Sequence, residues 1–379
     1  MGHGSGAMES LALTAGARFA PEPGFWRGRR VLVTGHTGFK GGWLTLWLAE
    51  LGAVVRGFAL APATTPNLFE AAGIGRFCDG VLGDLRDAER VARVVADADP
   101  DIVFHLAAQP LVRRSYRAPV ETFAVNVLGT IHLLEAVRAA QARAKRPRAI
   151  VVAATDKVYD DVAARRAFVE GDALGGHDPY AASKAAAEIA VQSWRRSFLA
   201  EAGIAVASAR SGNVFGGGDW NEDRIVADAA RAFAGGRVLA VRNPASVRPW
   251  QPVGEALAGY LALARALIEE GAAFATAWNF GPAPSQAATV GELVERFAAS
   301  WGSGARWSEA AEPGAPHESP WLLLDSSAAR ERLGWRSGGE FARALGATAE
   351  WYARHAAGAD ADELVARIAA ECRVAADAR

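Results

Sequence analysis

Tyr180 and Lys184 stand four residues apart directly after Pro179. On a helix that spacing puts both side chains on one face, where an ammonium can lower the pKa of a phenol. Thr155 ends an apolar run that begins at Ala149, so its hydroxyl can bind the same substrate oxygen and three donors converge. Asp156 and Lys157 follow at the strand end, where α/β sites concentrate; the competing reading is a solvated charge pair in a loop. Far upstream, Gly35, Gly38 and Gly41 are spaced GxxGxxG. Between a strand and a helix, such glycines bring backbone N–H groups and a helix N-terminus to a pyrophosphate, although a plain Gly-rich turn has the same composition.

These groups need a frame. From Arg30 onward short β-branched runs alternate with helical stretches, which implies a parallel sheet covered by helices. Strands are expected near 31–34, 54–58, 80–82, 102–105, 149–153 and 205–209, and helices near 43–51, 87–97, 119–138 and 179–202. The expected fold class is α/β, a Rossmann-type doubly wound parallel sheet with a smaller C-terminal substrate-binding lobe. The division that follows is a flexible N-terminal segment over 1–25, a dinucleotide-binding domain mainly over 26–212, and a second lobe mainly over 213–379 with segments returning to the first. The second strand ends in Gly57-Phe-Ala-Leu60, with neither an acid for a ribose nor a cation for a 2′-phosphate, so it does not separate NAD from NADP. Arg56 reads as a strand-face residue. Asp84 and Leu85 follow the third strand, where an adenine could lie, unless Asp84 simply caps a helix.

Composition narrows the class. With 51% hydrophobic and 22% charged residues over 379 positions, the chain is neither disordered nor a coiled coil. Lys plus Arg number 41 against 42 Asp plus Glu, a net charge of -1, so no global field favours nucleic acid or an anionic membrane. Cys78 and Cys372 are too few for a disulfide scaffold, and no His/Cys/Asp cluster has metal spacing. The first twenty residues lack a signal-peptide pattern, and the apolar stretch 256–268 is too short to span a bilayer. A soluble cytoplasmic protein is expected.

Taken together, the residues resemble the extended short-chain dehydrogenase/reductase family, and within it the nucleotide-sugar 4,6-dehydratases. The likeness runs from Val31 to Tyr352. It is carried by Gly35-His-Thr-Gly-Phe-Lys-Gly41, His105-Leu-Ala-Ala-Gln109, Asn126-Val-Leu-Gly-Thr130, Thr155-Asp-Lys157, Gly175-Gly-His-Asp-Pro-Tyr180 with Lys184, Gly212-Asn-Val-Phe-Gly-Gly-Gly-Asp-Trp220 and Arg248-Pro-Trp-Gln251. The first of these motifs, Gly216-Gly-Gly-Asp-Trp220 and Lys157 point to the members that act on CDP-glucose. Relatives commonly have Ser where this chain has Thr155, and His where it has Pro252.

The resemblance implies an internal redox dehydration with bound NAD, giving CDP-4-dehydro-6-deoxy-D-glucose. Tyr180, helped by Lys184 and Thr155, would take the O4 proton while C4 is oxidised. Asp156 would be the acid for the C6 hydroxyl and Lys157 the base at C5, which requires its ammonium to lose a proton first; otherwise Lys157 steadies the enolate and Tyr159 accepts the proton. The implied NAD site comprises Gly35, Thr37, Gly38, Phe39, Lys40 and Gly41, then Asp84 and Leu85, then Leu106, Ala107, Ala108 and Gln109, and finally Asn126, Tyr180 and Lys184. The implied nucleotide-sugar site draws on Gln109, Asn213, Arg224, Arg248 and His317 as donors and Trp250 as an aromatic wall. For each donor taken singly, a surface salt bridge or a packing role competes. Trp43, Trp47 and Trp278 read as core aromatics, and His36 and His132 as capping or packing residues. A homodimer pairing through the helices near 119–138 and 179–202 is also implied. The other readings are a sugar-nucleotide 4-epimerase, which needs Tyr180 and Lys184 but no C5 base or C6 acid, and a nucleotide-binding regulator without turnover.

Overall fold

Strands buried on both faces belong in the middle of a parallel sheet, and the runs Ile102–His105 and Ile204–Ser211 are buried throughout. The computed structural model describes residues 19–144, 148–160, 166–283, 286–310, 322–337 and 341–377. Its central sheet comprises β1 (Arg30–Thr34), β2 (Val54–Ala59), β3 (Asp79–Leu82), β4 (Ile102–His105), β5 (Arg148–Thr155), β6 (Ile204–Ser211) and β7 (Ala277–Phe280). The order is β7-β6-β5-β4-β1-β2-β3, every neighbouring pair parallel, with the chain reversing direction across the sheet between β1 and β4. A doubly wound sheet opens a crevice at that reversal.

The sheathing helices are α1 (Phe39–Glu50), α2 (Ala88–Ala98), α3 (Gly129–Ala144), α4 (Pro179–Trp194) and α5 (Val253–Glu270). Side chains alternate across each strand, so Val31, Val33, Phe104 and Val151 pack with α1 and α5, while Leu32, Val103, Ile150 and Val152 pack with α2, α3 and α4. Trp43, Trp47 and Trp278 are all buried in the first of these layers.

Two features differ from the expectation. Strand β7 was not anticipated, because Ala-Trp-Asn-Phe is short and follows a long helix; pairing with β6 supplies the hydrogen bonds that its sequence pattern does not advertise. The N-terminal boundary after residue 25 is also too late. Phe19 and Phe25 are buried, and Phe19 meets Phe274 edge-on at 5.5 Å, so aromatic packing holds the chain from residue 19 onward.

Beyond Gly212 the chain builds a smaller lobe from helix Ile225–Ala234, the parallel pair Leu239–Val241 with Trp307–Glu309, and helix Val290–Trp301, whose first turn is closed by a Thr289/Glu292 capping box. Among the described residues one helix, Pro119–Gln141, is long and apolar enough to cross a membrane by length and composition. Its Asn126 and Thr130 are nonetheless buried and hydrogen-bonded within the protein.

Two buried histidines brace the crevice. His105 bonds Thr34 Oγ1 through Nδ1 (2.8 Å) and Thr130 Oγ1 through Nε2 (3.0 Å), joining β1, β4 and α3. Burial, with Lys184 adding repulsion, lowers its pKa to about 3. The His36 ring fills space left by Gly57 and Gly80, where a Cβ would come within 2.5 and 2.8 Å of it. Burial lowers its pKa to about 4 against a weaker opposing bond to the Phe58 backbone. Both rings therefore stay neutral in the fold where an unfolded chain would protonate them below about pH 6.5. Protons then favour unfolding, so stability falls as pH drops from about 6.5 toward 4, by up to about 1.4 kcal/mol per pH unit for each histidine. Urea midpoints measured across this range will decline steeply, and His36→Gln will make the decline shallower; an unchanged slope in that variant would contradict the assignment.

Candidate active site

Most of the residues with chemical potential sit where strands end. Gly35 leaves β1 with φ +82, a left-handed conformation natural to glycine, and a Cβ there would lie 2.8 Å from the Ala107 nitrogen. At Gly41 a Cβ would lie 2.0 Å from the Gly35 carbonyl oxygen, so α1 can start this close to the turn only with glycine. Gly38 caps α1 without a side-chain hydrogen bond, leaving the first-turn N–H groups of Phe39, Lys40 and Gly41 at the cleft. Thr37 Oγ1 donates to Leu60 O at 2.8 Å and ties the turn to the end of β2. This cradle fits a dinucleotide pyrophosphate. Lys40 Nζ turns inward instead, donating to Ser211 Oγ (2.6 Å) and Tyr260 OH (3.2 Å).

The cleft encloses about 710 Å³ and runs from this cradle into the smaller lobe. Leu106, Ala107 and Ala108 line it after β4, and the Ala107 N–H donates to Thr34 Oγ1 at 3.2 Å. Gln109 also lines it, but its amide is used within its own loop: Oε1 accepts from Leu111 N–H at 2.7 Å and Nε2 donates to Leu111 O and Thr122 Oγ1. Asn126 does not line the cleft. It sits on the π-helical turn Ala124–Leu128 and bonds the Gln109 backbone and Ser183 Oγ, so it shapes the loop rather than touching a ligand.

Asp84 and Leu85 line the cleft beyond β3. The helix-cap alternative for Asp84 is ruled out, since Asp87 caps α2; Asp84 is clasped by Arg86 at 2.6 to 3.0 Å, which holds its carboxyl below the usual range. Leu85 is buried and its carbonyl meets His132 Nδ1 at 2.8 Å. Arg56 pairs with Asp79 across β2 and β3, the strand-face role read from sequence.

At the end of β5 the Thr155 hydroxyl donates to Asp156 Oδ1 (3.0 Å) and accepts from Lys157 N–H (3.3 Å), and it stands beside the Tyr180 phenol. Asp156 is 1% exposed and its Oδ2 has no protein partner. Lys157 lines the cleft from the same 3-10 turn, Asp156–Val158. Tyr180 and Lys184 come from the first turns of α4, which is capped by Asp178. Burial pushes the Tyr180 phenol up to about 12; Arg224 and the nearby Thr155 hydroxyl pull it down, and Asp156 and Asp178 push it up further. The opposing cation is thus Arg224 rather than Lys184. Lys184 Nζ donates to Ala153 O at 2.8 Å, and burial, aided by Lys40 and opposed by Glu188, lowers it to about 8. Tyr159 cannot serve as the alternative base: its hydroxyl donates to Asn279 Oδ1 at 2.6 Å and accepts from Arg210, and burial raises its pKa.

From the smaller lobe, Asn213, Arg224, Arg248 and Trp250 line the cleft. Arg224 reaches Pro110 O at 3.3 Å, and the Trp250 indole is anchored on Ala288 O at 3.2 Å. His317 lies outside the described residues. Arg113, Asp223 and Arg242 also line the cleft and were not singled out beforehand, because they come from three separate segments with no common spacing. Among the described residues no His/Cys/Asp/Glu group could hold a metal ion.

A family model described as GDP-mannose 4,6 dehydratase matches residues 32–347. The chain belongs to this family. It is 44% identical over 333 residues to the CDP-glucose 4,6-dehydratase of Salmonella typhimurium, covering 86% of this chain and 91% of that one. It is 28% identical over 340 residues to a dTDP-glucose 4,6-dehydratase of Xanthomonas campestris pv. campestris, covering 85% and 92%. Among solved structures, a Thermus thermophilus UDP-glucose 4-epimerase in complex with NAD superposes with a TM-score of 0.74 at 26% identity, covering 87% of this chain and 99% of that one. A Streptomyces venezuelae dTDP-glucose 4,6-dehydratase with NAD bound gives 0.72 at 24%, covering 86% and 97%, a likeness of fold.

The cradle carries its own test. Gly41→Ala forces a methyl against the Gly35 carbonyl and will weaken NAD⁺ binding at least about tenfold in calorimetric titration, with circular dichroism confirming the fold. Unaltered affinity would mean the pyrophosphate lies elsewhere.

Proposed function

We propose that this protein is an NAD-dependent CDP-glucose 4,6-dehydratase, converting CDP-D-glucose to CDP-4-dehydro-6-deoxy-D-glucose with loss of water. The observation that carries it is the Thr155-Asp-Lys157 turn beside Tyr180 and Lys184, which unites a C4 oxidation set with an acid and an amine for elimination. The 44% identity to a CDP-glucose enzyme over most of both chains supports the choice of nucleotide.

A nicotinamide bound in this cleft would supply the acceptor for the C4 hydride and the donor that returns it to C6. Tyr180 accepts the O4 proton, with the Thr155 hydroxyl beside the phenol and Lys184 one turn along the helix. The resulting 4-ketone acidifies C5–H, and Lys157, lining the cleft from the Asp156–Val158 turn, is the group placed to remove that proton. Asp156 protonates the departing C6 hydroxyl; its unpartnered Oδ2 is the free position for that hydroxyl. Arg224 and Arg248 hold the diphosphate, for which a planar cationic fork is suited.

The assembly is proposed to be a homodimer. Val120, Leu128 and Ile189 are 82%, 51% and 58% exposed on neighbouring helices, and Phe123 and Phe198 add to the same surface type. A second copy of the chain would cover them.

Incubation with NAD⁺ and CDP-glucose in D₂O will give loss of one water with deuterium at C5, read by NMR and mass spectrometry. Inversion at C4 without water loss would instead establish an epimerase, and absence of turnover with NAD bound would leave a regulator. Asp156→Asn will slow product formation by about 10²–10⁴-fold while reduced nicotinamide accumulates, which isolates elimination from C4 oxidation. Sedimentation velocity will show a dimer, converted to monomer by Val120→Glu with Ile189→Lys; a monomeric unmodified chain would refute the pairing.

A further inference from the structure

Behind the reacting groups, and resting on the dehydratase reading, a buried network joins the two elements that carry them. Glu188 lies one turn beyond Lys184 on α4. Both of its carboxylate oxygens are held by Arg210 of β6, Nε–H donating to Oε1 at 2.8 Å and Nη2–H to Oε2 at 2.6 Å, with the two side chains 2% and 1% exposed. Arg210 Nη1 donates to the Tyr159 hydroxyl at 2.8 Å and to Glu170 O at 3.1 Å. Tyr159, two residues beyond Lys157, donates in turn to Asn279 of β7 and stacks on Phe168 at 4.7 Å. In the sheet register Arg210 faces Ala154, next to Thr155. One guanidinium thus spans the helix bearing Tyr180 and Lys184 and the turn bearing Asp156 and Lys157.

A Glu and a Lys one helical turn apart pair by default. A bidentate Arg fork binds a carboxylate more strongly than an ammonium does, so Arg210 takes Glu188 and leaves Lys184 on Ala153 O. We propose that Arg210 and Glu188 are positioning residues for the dehydration: they hold the Asp156–Lys157 turn against α4 through Tyr159, and they keep the Glu188 carboxylate from capturing the Lys184 ammonium. The charged or titratable groups acting on Lys184 are Glu188 from its own helix, Lys40 from α1 and the neutral His105 from β4; those acting on Tyr180 are Arg224, Asp156 and Asp178.

The test is the pH profile of kcat/KM for CDP-glucose, read beside the affinity for CDP. Arg210→Met leaves Glu188 uncompensated one helical turn from Lys184. Negative charge there favours the Lys184 ammonium, so the limb governed by Lys184 moves up by about one pH unit. Turnover drops at least about tenfold while CDP affinity holds, since Arg224 and Arg248 are untouched. Glu188→Gln removes the carboxylate and moves the limb the opposite way. The double variant Arg210→Met/Glu188→Gln returns the limb to its original position but not the turnover, because the Tyr159 tether is still missing. A merely structural pair would lower the melting temperature in all three without moving any limb, and that result overturns the inference. Should Arg210→Met fail to fold, Glu188→Gln decides alone: a limb that stays put refutes the proposal. Absence of turnover by the unmodified protein sinks the dehydratase reading and this inference with it, whereas turnover with unmoved limbs sinks the inference alone.

Discussion

Parallel pairing is the constraint from which the site follows. Strands that all run one way, linked by right-handed crossovers, deliver every carboxyl end to one rim. Here that rim receives Gly35 from β1, Leu106 to Gln109 from β4, Thr155 to Lys157 from β5 and Ser211 to Asn213 from β6. Register does the fine positioning. Thr155 is level with Ser211, so the hydroxyl that bonds Asp156 and the one that anchors Lys40 stand side by side. A slip of one residue would exchange the two faces of β5 and turn Ile150 and Val152 away from α3 and α4. Core packing and catalytic geometry are therefore secured by the same hydrogen-bond ladder.

Burial sets the electrostatics. Removing a charged group from water costs several kcal/mol unless a partner replaces the solvent, and the cations around the rim are matched accordingly. Lys184 has a carbonyl, Lys40 has two hydroxyls, and Arg210 has a carboxylate and a phenol. Asp156 Oδ2 departs from this pattern. A buried carboxyl oxygen left unbonded costs about 1–3 kcal/mol, and a structure that keeps one beside a cleft holds it ready for a hydroxyl of the ligand. The same burial explains why the Tyr180 phenol is held high, at about 12, in the protein alone: desolvation outweighs the pull of Arg224. Lowering it requires positive charge brought close, which a cationic nicotinamide would supply.

The sheet and the glycine cradle were legible because their signals are local. β-Branched runs, a helix-spaced Tyr-Lys pair and glycines at a strand end each sit within about ten residues. β7 was not legible, since its four residues acquire strand character only by lying beside β6. The roles of Gln109 and Asn126 also escaped, for a related reason. Their types suit ligand contact, but Gln109 spends its amide on Leu111 and Thr122, and Asn126 ties the Gln109 backbone to Ser183, 57 residues further along the chain. Polar residues beside a site can face the ligand or the loop, and sequence type does not distinguish the two. Tyr159 illustrates the same point, its hydroxyl being committed to Asn279 and Arg210.

The two lobes meet through bonds of a different strength. Across the cleft mouth Arg224 reaches Pro110 O, Arg113 and Arg242 converge on Asp223, and Arg117 meets Glu222. These ion pairs are partly or largely exposed, and such pairs contribute only about 0–1 kcal/mol each. The loop on the near side is anchored far more firmly, with Leu111 held by Gln109 and Ser115 Oγ accepting the Tyr180 N–H at 3.1 Å. The mouth can therefore rearrange around a ligand at low cost, while the buried bonds from Ser115, Asn126 and Arg210 keep the reacting groups in register.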